Sequence, residues 1–168
     1  MLETFARAAE AVGAEHQEFQ GSWPDVAARA PAVDVVVCHH VFYNVPDLPA
    51  FAAALSEHAR SRVVVELTER HPLVALNKLW RHFHDVPRPE GPTAEDARTV
   101  LTEMGIDAHM ERFARPPVRM RRERGDLVAF VRRRLCLSAD KDPEIDDLLG
   151  DRQVLNSNEV ATLWWDPQ

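Results

Sequence analysis

The sequence has few cysteines and no long apolar run. Its two cysteines, Cys38 and Cys136, lie far apart in apolar contexts, which argues against a disulfide framework or a cysteine-rich metal site. No stretch approaches the roughly 18 apolar residues that a membrane span requires. Met1 is followed by an amphipathic pattern, whereas a signal peptide would continue into an apolar core. These absences predict a cytoplasmic protein that has no membrane partner.

Positive charge is also scarce, since 20 Lys and Arg residues stand against 27 Asp and Glu residues, for a formal net charge of −7. Nucleic acids and anionic membranes reward positive charge, so neither is an expected partner. The stretch "RPPVRMRRER", Arg115 to Arg124, holds five arginines but no interleaved aromatic side chains. We expect a solvated loop whose arginines pair with nearby carboxylates; binding of an anionic substrate is the alternative.

Glycine is rare and scattered. The six glycines are all isolated, so the sequence contains no G-x-G motif of the kind that lets a backbone approach a nucleotide cofactor. With 168 residues, of which 45% are hydrophobic, the chain has the size and composition of one domain. Internal repeats and low-complexity segments are absent from the sequence.

Apolar runs and helix signals alternate in the first half of the sequence. A short strand is predicted at Glu15–Gln20, followed by a helix over about Ser22–Ala30. Val33–Cys38 is continuously apolar, which is typical of a strand that is covered on both faces. Asp47 caps the next helix, and Arg62–Thr68 is a further buried strand. Strand, helix and strand at this spacing predict a βαβ unit, and therefore an open, mainly parallel α/β sheet flanked by helices.

The second half of the sequence is richer in helices. Two further strands are expected there, at Ile106–Phe113 and Glu159–Trp165. The expected helices are Leu73–Phe83, Thr93–Gly105 with Thr93 as its cap, Asp126–Leu135, and Pro143–Leu149.

Ligands of open α/β sheets bind outside the carboxyl ends of the strands. The residues that follow the first three predicted strands are Gly21–Trp23, His39–Asn44 and Glu69–Pro72. They offer aromatic, small and polar groups, but no nucleophile beside an activating base. His39 and His40 alternate across their strand end, so either one could instead be a buried core residue.

The remaining histidines and tryptophans have simpler interpretations. His82 and His84 stand at i and i+2, where helical side chains face different sides, whereas metal-binding pairs on helices favour i+3 or i+4. No metal site is therefore predicted. Trp164 and Trp165 are expected to pack in the core, which leaves Trp23 as the better stacking candidate.

The order of four segments, "MLETFARAAEAVG", "EFQGSW", "DVVVCHHVFYNVPD" and "RVVVELTER", resembles the class I S-adenosylmethionine-dependent methyltransferases of the small-molecule type. The segments "ERHPL", "HDVPRPEGPTAED" and "ATLWW" are similar to one bacterial subgroup of that family. The resemblance covers nearly the whole chain, and its specificity comes from the order and spacing of these segments. It implies a Rossmann-like fold, S-adenosylmethionine as cofactor and a small molecule as methyl acceptor.

The resemblance also implies which residues bind the cofactor. Ser22 and Trp23 match the turn that holds the adenine ring. Cys38, His39 and His40 match the strand end that lies beside the methionine part of the cofactor. The histidine pair would thus line the cofactor cleft.

The acceptor side of the cleft is implied in the same way. His40 and Tyr43 are the candidates for acceptor contact and catalysis, and a helical cap insertion around residues 70–92 would cover the substrate. Methyl transfer from a sulfonium is an in-line displacement, so positioning matters most, and a base is needed only if the acceptor must lose a proton.

One part of the family pattern is missing. These enzymes begin with a strand and a Gly-rich turn, followed by a helix and a second strand that ends in an acidic residue, and the sequence has neither strand. Residues 1–168 are therefore expected to form a single, N-terminally incomplete methyltransferase-like domain. The missing strands would lie between Glu15–Gln20 and Val33–Cys38, in the middle of the sheet.

The missing strands leave the apolar edge of Val33–Cys38 without a neighbour. Such an edge invites aggregation or pairing with another chain, so a homodimer through this edge is a candidate assembly. Two functions follow as alternatives: methyl transfer by a chain that is N-terminally truncated, or a noncatalytic module that binds a partner chain through its open edge.

Overall fold

The computed structural model describes residues 2–115, 123–151 and 159–167. This part of the chain forms a four-stranded sheet flanked by helices. The strands are β1 (Val33–His39), β2 (Ala59–Thr68), β3 (His109–Ala114) and β4 (Glu159–Trp165). The α-helices are α1 (Leu2–Ala11), α2 (Leu48–His58), α3 (Asn77–His84), α4 (Ala94–Glu103), α5 (Arg124–Arg134) and α6 (Asp142–Leu149).

The strand order in the sheet is β1-β2-β4-β3. β1 pairs with β2 in parallel, whereas β4 runs antiparallel to both of its neighbours, so β1, β2 and β3 point the same way. Three strands in one direction and one in the other make a mainly parallel, open sheet. The predicted fold class is therefore confirmed.

The βαβ unit of β1, α2 and β2 forms as the sequence predicts. The Asp47 side chain accepts a hydrogen bond from the Ala50 backbone N–H at 3.0 Å and caps α2. The helix buries Phe51 and Leu55 against the sheet, where Cys38 of β1 lies opposite Val65 of β2. Parallel strands need such a crossover helix, so burial of α2 also fixes the β1–β2 register.

Two hydrophobic cores lie in the described part of the chain. The first is between one face of the sheet and the helices α2 and α4, and its fully buried members include Val63, Leu101 and Leu163. The second is formed by α3, α5 and α6 with the 3-10 helix Pro72–Leu76, and it includes Leu135. Part of the predicted 70–92 cap thus packs on helices from late in the sequence.

The second face of the sheet is open at β1. Val33, Val35 and Val37 alternate on that face and are 41%, 49% and 58% exposed. The expectation that Val33–Cys38 is covered on both faces is therefore wrong, since α2 covers only the face that carries Cys38. β1 is also the end strand of the sheet, as the missing-strand argument predicts.

The segment before β1 differs from the prediction. Glu15–Gln20 forms no strand, because β1 pairs only with β2 among the described strands and offers this segment no hydrogen-bonded neighbour. The helix expected over Ser22–Ala30 is reduced to the 3-10 helix Ala27–Arg29, in which i to i+3 bonds replace α-helical ones. No described helix has both the length and the apolar character that a membrane crossing needs.

Candidate functional site

The candidate site lies where β1 and β2 end. His39 is the last residue of β1, and the backbone N–H of His40 still donates to the Glu66 carbonyl of β2 at 2.7 Å. His40 then takes a left-handed backbone conformation with φ 58°, which is uncommon for a side chain of this size. This turn ends the strand and holds both imidazoles at the carboxyl edge of the sheet.

Glu66 is the centre of the polar contacts at this edge. It lies within the apolar strand β2 and is only 8% exposed. Its Oε1 forms an ion pair with Arg115, which follows β3, and lies 3.5 Å from His40 Nε2 and 4.0 Å from His39 Nδ1. A buried carboxylate needs such partners, because desolvation of an unpaired charge costs several kcal/mol.

His40 is held in its neutral form. Burial lowers the pKa of His40, Arg115 and His39 lower it further, and Glu66 opposes them. Nδ1 of His40 is buried and has no hydrogen-bond partner among the described residues. Since an unpaired buried N–H costs more than an unpaired lone pair, we assign the ring proton to Nε2, facing Glu66.

Tyr43 stands beside the histidine pair on the 3-10 helix Phe42–Asn44. Burial raises the pKa of Tyr43, so the phenol keeps its proton at neutral pH. Its hydroxyl is hydrogen-bonded to Thr68, whose own hydroxyl donates to the Arg70 carbonyl at 2.6 Å. The contact with Thr68 opposes the effect of burial on this pKa, and it places the Tyr43 hydroxyl beside the end of β2.

His71 connects this site to the helical second core. Its ring lies edge-on to Tyr43 at 5.0 Å between centroids, and Nε2 is 3.3 Å from the Asn44 Oδ1. Its Nδ1 accepts from the Leu73 N–H at 3.1 Å, which assigns the ring proton to Nε2. Burial, and then the charge of Arg88, lower the pKa of His71 and keep it neutral.

The predicted adenine-binding residues lie apart from this cluster. Trp23 packs on α2, where its indole N–H donates to the Phe51 carbonyl at 3.4 Å and its ring lies edge-on to His58 at 4.9 Å. Ser22 is exposed. Within the described chain, no hydrogen bond or ring contact joins Ser22 or Trp23 to His39, His40 or Tyr43.

Cys38 lies in the first core, on the face of β1 opposite to His39. Burial raises the pKa of the Cys38 thiol to about 11, so it is a protonated thiol that packs with Phe42 and Phe51. Of Cys38, only the backbone lies at the strand end, beside the predicted cofactor position.

The histidines considered for metal binding have other partners. His82 contacts Glu144 at 2.8 Å, and His84 contacts the Leu135 carbonyl at 2.8 Å. Among the described residues, no three His, Cys, Asp or Glu side chains come together as a metal site. Of the arginine-rich stretch, Arg115 and Arg124 contact Glu66 and Asp146, while residues 116–122 lie outside the described residues.

A separate pocket of about 210 Å³ lies at the opposite end of β2 and β3. Two pairs of side chains line it: Arg62 pairs with Asp166 at 2.7 Å, and His109 stacks on Trp164 at 5.5 Å. Nothing in this arrangement points to a ligand. The β1–β2 edge is therefore the better candidate site.

Glu66 and Thr68 belong to the site but were not singled out from the sequence. Arg115 was named only as part of the arginine-rich stretch that was expected to pair with carboxylates, without a partner. The signal was present for Glu66, since "RVVVELT" places one carboxylate in an apolar strand that must find a partner. Arg115 could not be found in this way, because its contact joins residues 49 positions apart.

Comparison with known proteins assigns the fold to a class. No protein-family model matches the chain, and no curated protein matches it. Solved structures resemble it, among them one with a TM-score of 0.53. Identities of 13% restrict this likeness to the fold.

The individual structures are the following. The chain has the fold of a cyclopropane-fatty-acyl-phospholipid synthase-like protein from Lactobacillus casei, with TM-score 0.53 and 13% identity over 89% of this chain and 62% of that protein. Precorrin 8W decarboxylase from Methanobacterium thermoautotrophicum has a TM-score of 0.47 and 13% identity, over 97% of this chain and 62% of that protein. A SAM-dependent methyltransferase from Archaeoglobus fulgidus has a TM-score of 0.45 and 13% identity, over 96% of this chain and 80% of that protein. The chain thus spans about 62% of the length of the first two proteins.

Proposed function

We propose that the chain carries out S-adenosylmethionine-dependent methyl transfer to a small-molecule acceptor. The observation that carries this proposal is the convergence of His39, His40, Tyr43 and Glu66 on the carboxyl ends of β1 and β2. That edge is where open α/β sheets bind their ligands. The sequence resemblance and the fold support the choice of cofactor.

The residues present fit one half of the cofactor better than the other. His39 is exposed at the strand end and, with His40, would hold the methionine part. Ser22 and Trp23 would hold the adenine ring. An acidic residue after a second strand, which would hold the ribose hydroxyls in the resembling family, is missing from the sequence.

The chemistry supplied by the bound cofactor is an electrophilic methyl group. The chain's own residues would align the acceptor for in-line attack, which is the larger part of catalysis for such a displacement. Tyr43 would orient the acceptor through its hydroxyl. The helical cap would exclude water from the same space.

Titration of S-adenosylhomocysteine into the protein by calorimetry tests this proposal. Wild type is expected to bind. Replacing His39 by alanine is expected to weaken binding about tenfold, because one polar contact to a bound ligand is worth about 1.4 kcal/mol. Tyr43→Phe should change the affinity less than about threefold, because Tyr43 is assigned to the acceptor. His109→Ala, at the other end of the sheet, is the matched control and should bind as wild type does.

A second titration tests whether the strands missing from the sequence are needed for binding. It uses the chain preceded by the residues encoded upstream of Met1. Binding by the longer chain only would support methyl transfer with the present chain as an incomplete domain. Binding by neither would overturn the proposal and favour the second candidate function.

The second candidate is a noncatalytic module that pairs with a second copy of itself through β1. The exposure of Val33, Val35 and Val37 on an end strand favours it. Antiparallel pairing about Val35 would place Val33 opposite Val37 of the other copy, so the strand is complementary to itself. Isologous pairing of this kind makes closed dimers.

Light scattering after size exclusion tests the dimer. A dimer mass is expected for wild type and a monomer mass for Val35→Lys, since charged edge residues block strand pairing. Val12→Lys, a matched change at a 78% exposed valine just after α1, should leave the mass unchanged. A monomeric wild type over the whole concentration range would rule this assembly out.

A further inference from the structure

The contacts of the Glu66 carboxylate are all made by one of its two oxygens. Arg115, His40 and His39 converge on Oε1. Oε2 has no hydrogen-bond partner among the described residues, and it is not one of the buried side-chain atoms that lack a partner. Oε2 is therefore the accessible oxygen of a fixed carboxylate, and it is open to a ligand.

The neighbouring groups also accept hydrogen bonds. Glu66 and Thr68 are two residues apart on β2, so their side chains share one face of the sheet about 7 Å apart. The Tyr43 hydroxyl contacts Thr68 and therefore lies beside this pair of residues. Two donors near this edge, the Arg115 guanidinium and the Nε2–H of His40, face Oε1.

We infer that Glu66 Oε2 binds the nitrogen of the methyl acceptor, and that the acceptor is an amine. This inference rests on the proposed methyl transfer. A site whose free groups are a carboxylate oxygen and a phenol oxygen matches a ligand that donates hydrogen bonds and gains positive charge. A carboxylate ligand would instead be repelled by Glu66.

The chemistry of an amine acceptor balances without a further reactant. An amine that binds as an ammonium ion first loses one proton to solvent. The nitrogen lone pair of the free amine then attacks the sulfonium methyl carbon, and the new N–C bond forms as the C–S bond breaks. The electron pair of the C–S bond stays on sulfur, which becomes a neutral thioether. The positive charge passes to the nitrogen, whose proton is then lost to solvent.

Glu66 assists this displacement by electrostatics. As the N–C bond forms, positive charge grows on the nitrogen, and a carboxylate oxygen at hydrogen-bond distance stabilises it. An alcohol would need a base to remove its proton before or during attack. Tyr43 keeps its proton, and the neutral His40 has its one accessible nitrogen turned to Glu66, so neither is available as that base.

Titration with matched pairs of small probes tests the inference. Benzylamine with benzyl alcohol, and phenethylamine with phenethyl alcohol, are titrated into the protein with and without saturating S-adenosylhomocysteine. Each amine is expected to bind at least about tenfold more tightly than its alcohol, as a charge-assisted hydrogen bond predicts. Glu66→Gln should remove this preference. Glu95→Gln, which removes an arginine-paired carboxylate on α4, should keep it.

A second measurement does not depend on a variant. In wild type, the signal of the Glu66 carboxyl carbon is followed by 13C NMR. Its chemical shift should change on addition of benzylamine but not of benzyl alcohol. Glu66→Gln is used only if its thermal unfolding is as cooperative as that of wild type.

The outcomes separate the inference from the function on which it rests. Amines that bind no better than alcohols, or that leave the Glu66 signal unmoved, would overturn the inference even where S-adenosylhomocysteine binds. Selective amine binding, with S-adenosylhomocysteine bound by neither the present chain nor the longer one, would keep the Glu66 site and reject the methyl-transfer proposal.

Discussion

Replacement of Leu163 by alanine is expected to lower the free energy of unfolding by about 3 kcal/mol, as for other fully buried leucines. Leu163 is completely buried in β4. Its backbone pairs with Val65 of β2 on one side and with Met110 of β3 on the other. Because both ladders hold the strand in place, the surrounding structure collapses little into the cavity, so the cavity adds to the cost of the lost contacts. Urea denaturation followed by circular dichroism measures it.

The control for this prediction is Leu148→Ala on α6. Leu148 is 41% exposed, so the same truncation should cost less than about 1 kcal/mol there. Equal losses at Leu163 and Leu148 would contradict the placement of β4 at the centre of the sheet.

Much of the sheet and its helices could be predicted from the sequence because the signals there are local. The βαβ unit follows from two apolar strands and the Asp47 cap between them. Thr93 forms a capping box with Asp96, as its position before an amphipathic run predicts. β4 spans Glu159–Trp165 in both the prediction and the structure.

The errors occur where a segment depends on neighbours that the described chain does not supply. Glu15–Gln20 has alternating character, but a strand gains its hydrogen bonds only from an adjacent strand. The apolar run at Val33–Cys38 predicts burial on two faces, yet one face stays open because no described helix packs on it. The composition of a segment shows which side chains it can bury, but burial depends on whether another element packs against them.

The candidate site was predictable in position but not in its electrostatics. The histidine pair and Tyr43 come directly after a predicted strand, so the edge of the sheet could be found from the sequence. The role of Glu66 depends on Arg115, which reaches it only once β3 has joined the far side of the sheet. Long-range ion pairs of this kind leave no pattern in the sequence.

Replacement of Leu135 by alanine is expected to open the second core while the sheet stays folded. Leu135 follows α5, is completely buried, and packs with Leu76, Ile145 and Leu149, none of which belongs to the first core. A truncation that costs about 3 kcal/mol in a separate core should act on local opening first. The amide protons of α5 and α6 should then exchange faster by about two orders of magnitude, while those of β2 keep their protection.

Hydrogen exchange of Leu163→Ala gives the reciprocal measurement. That variant should accelerate exchange in β2 and β4, since both line the cavity, and it should leave α5 and α6 less affected. If Leu135→Ala instead accelerates β2 as strongly as α5, the two cores unfold as one cooperative unit. Independent opening would mean that the helices beside His71 and Tyr43 can move without disturbing the strands that hold Glu66. A cap of this kind could admit an acceptor while the carboxylate that binds it stays fixed.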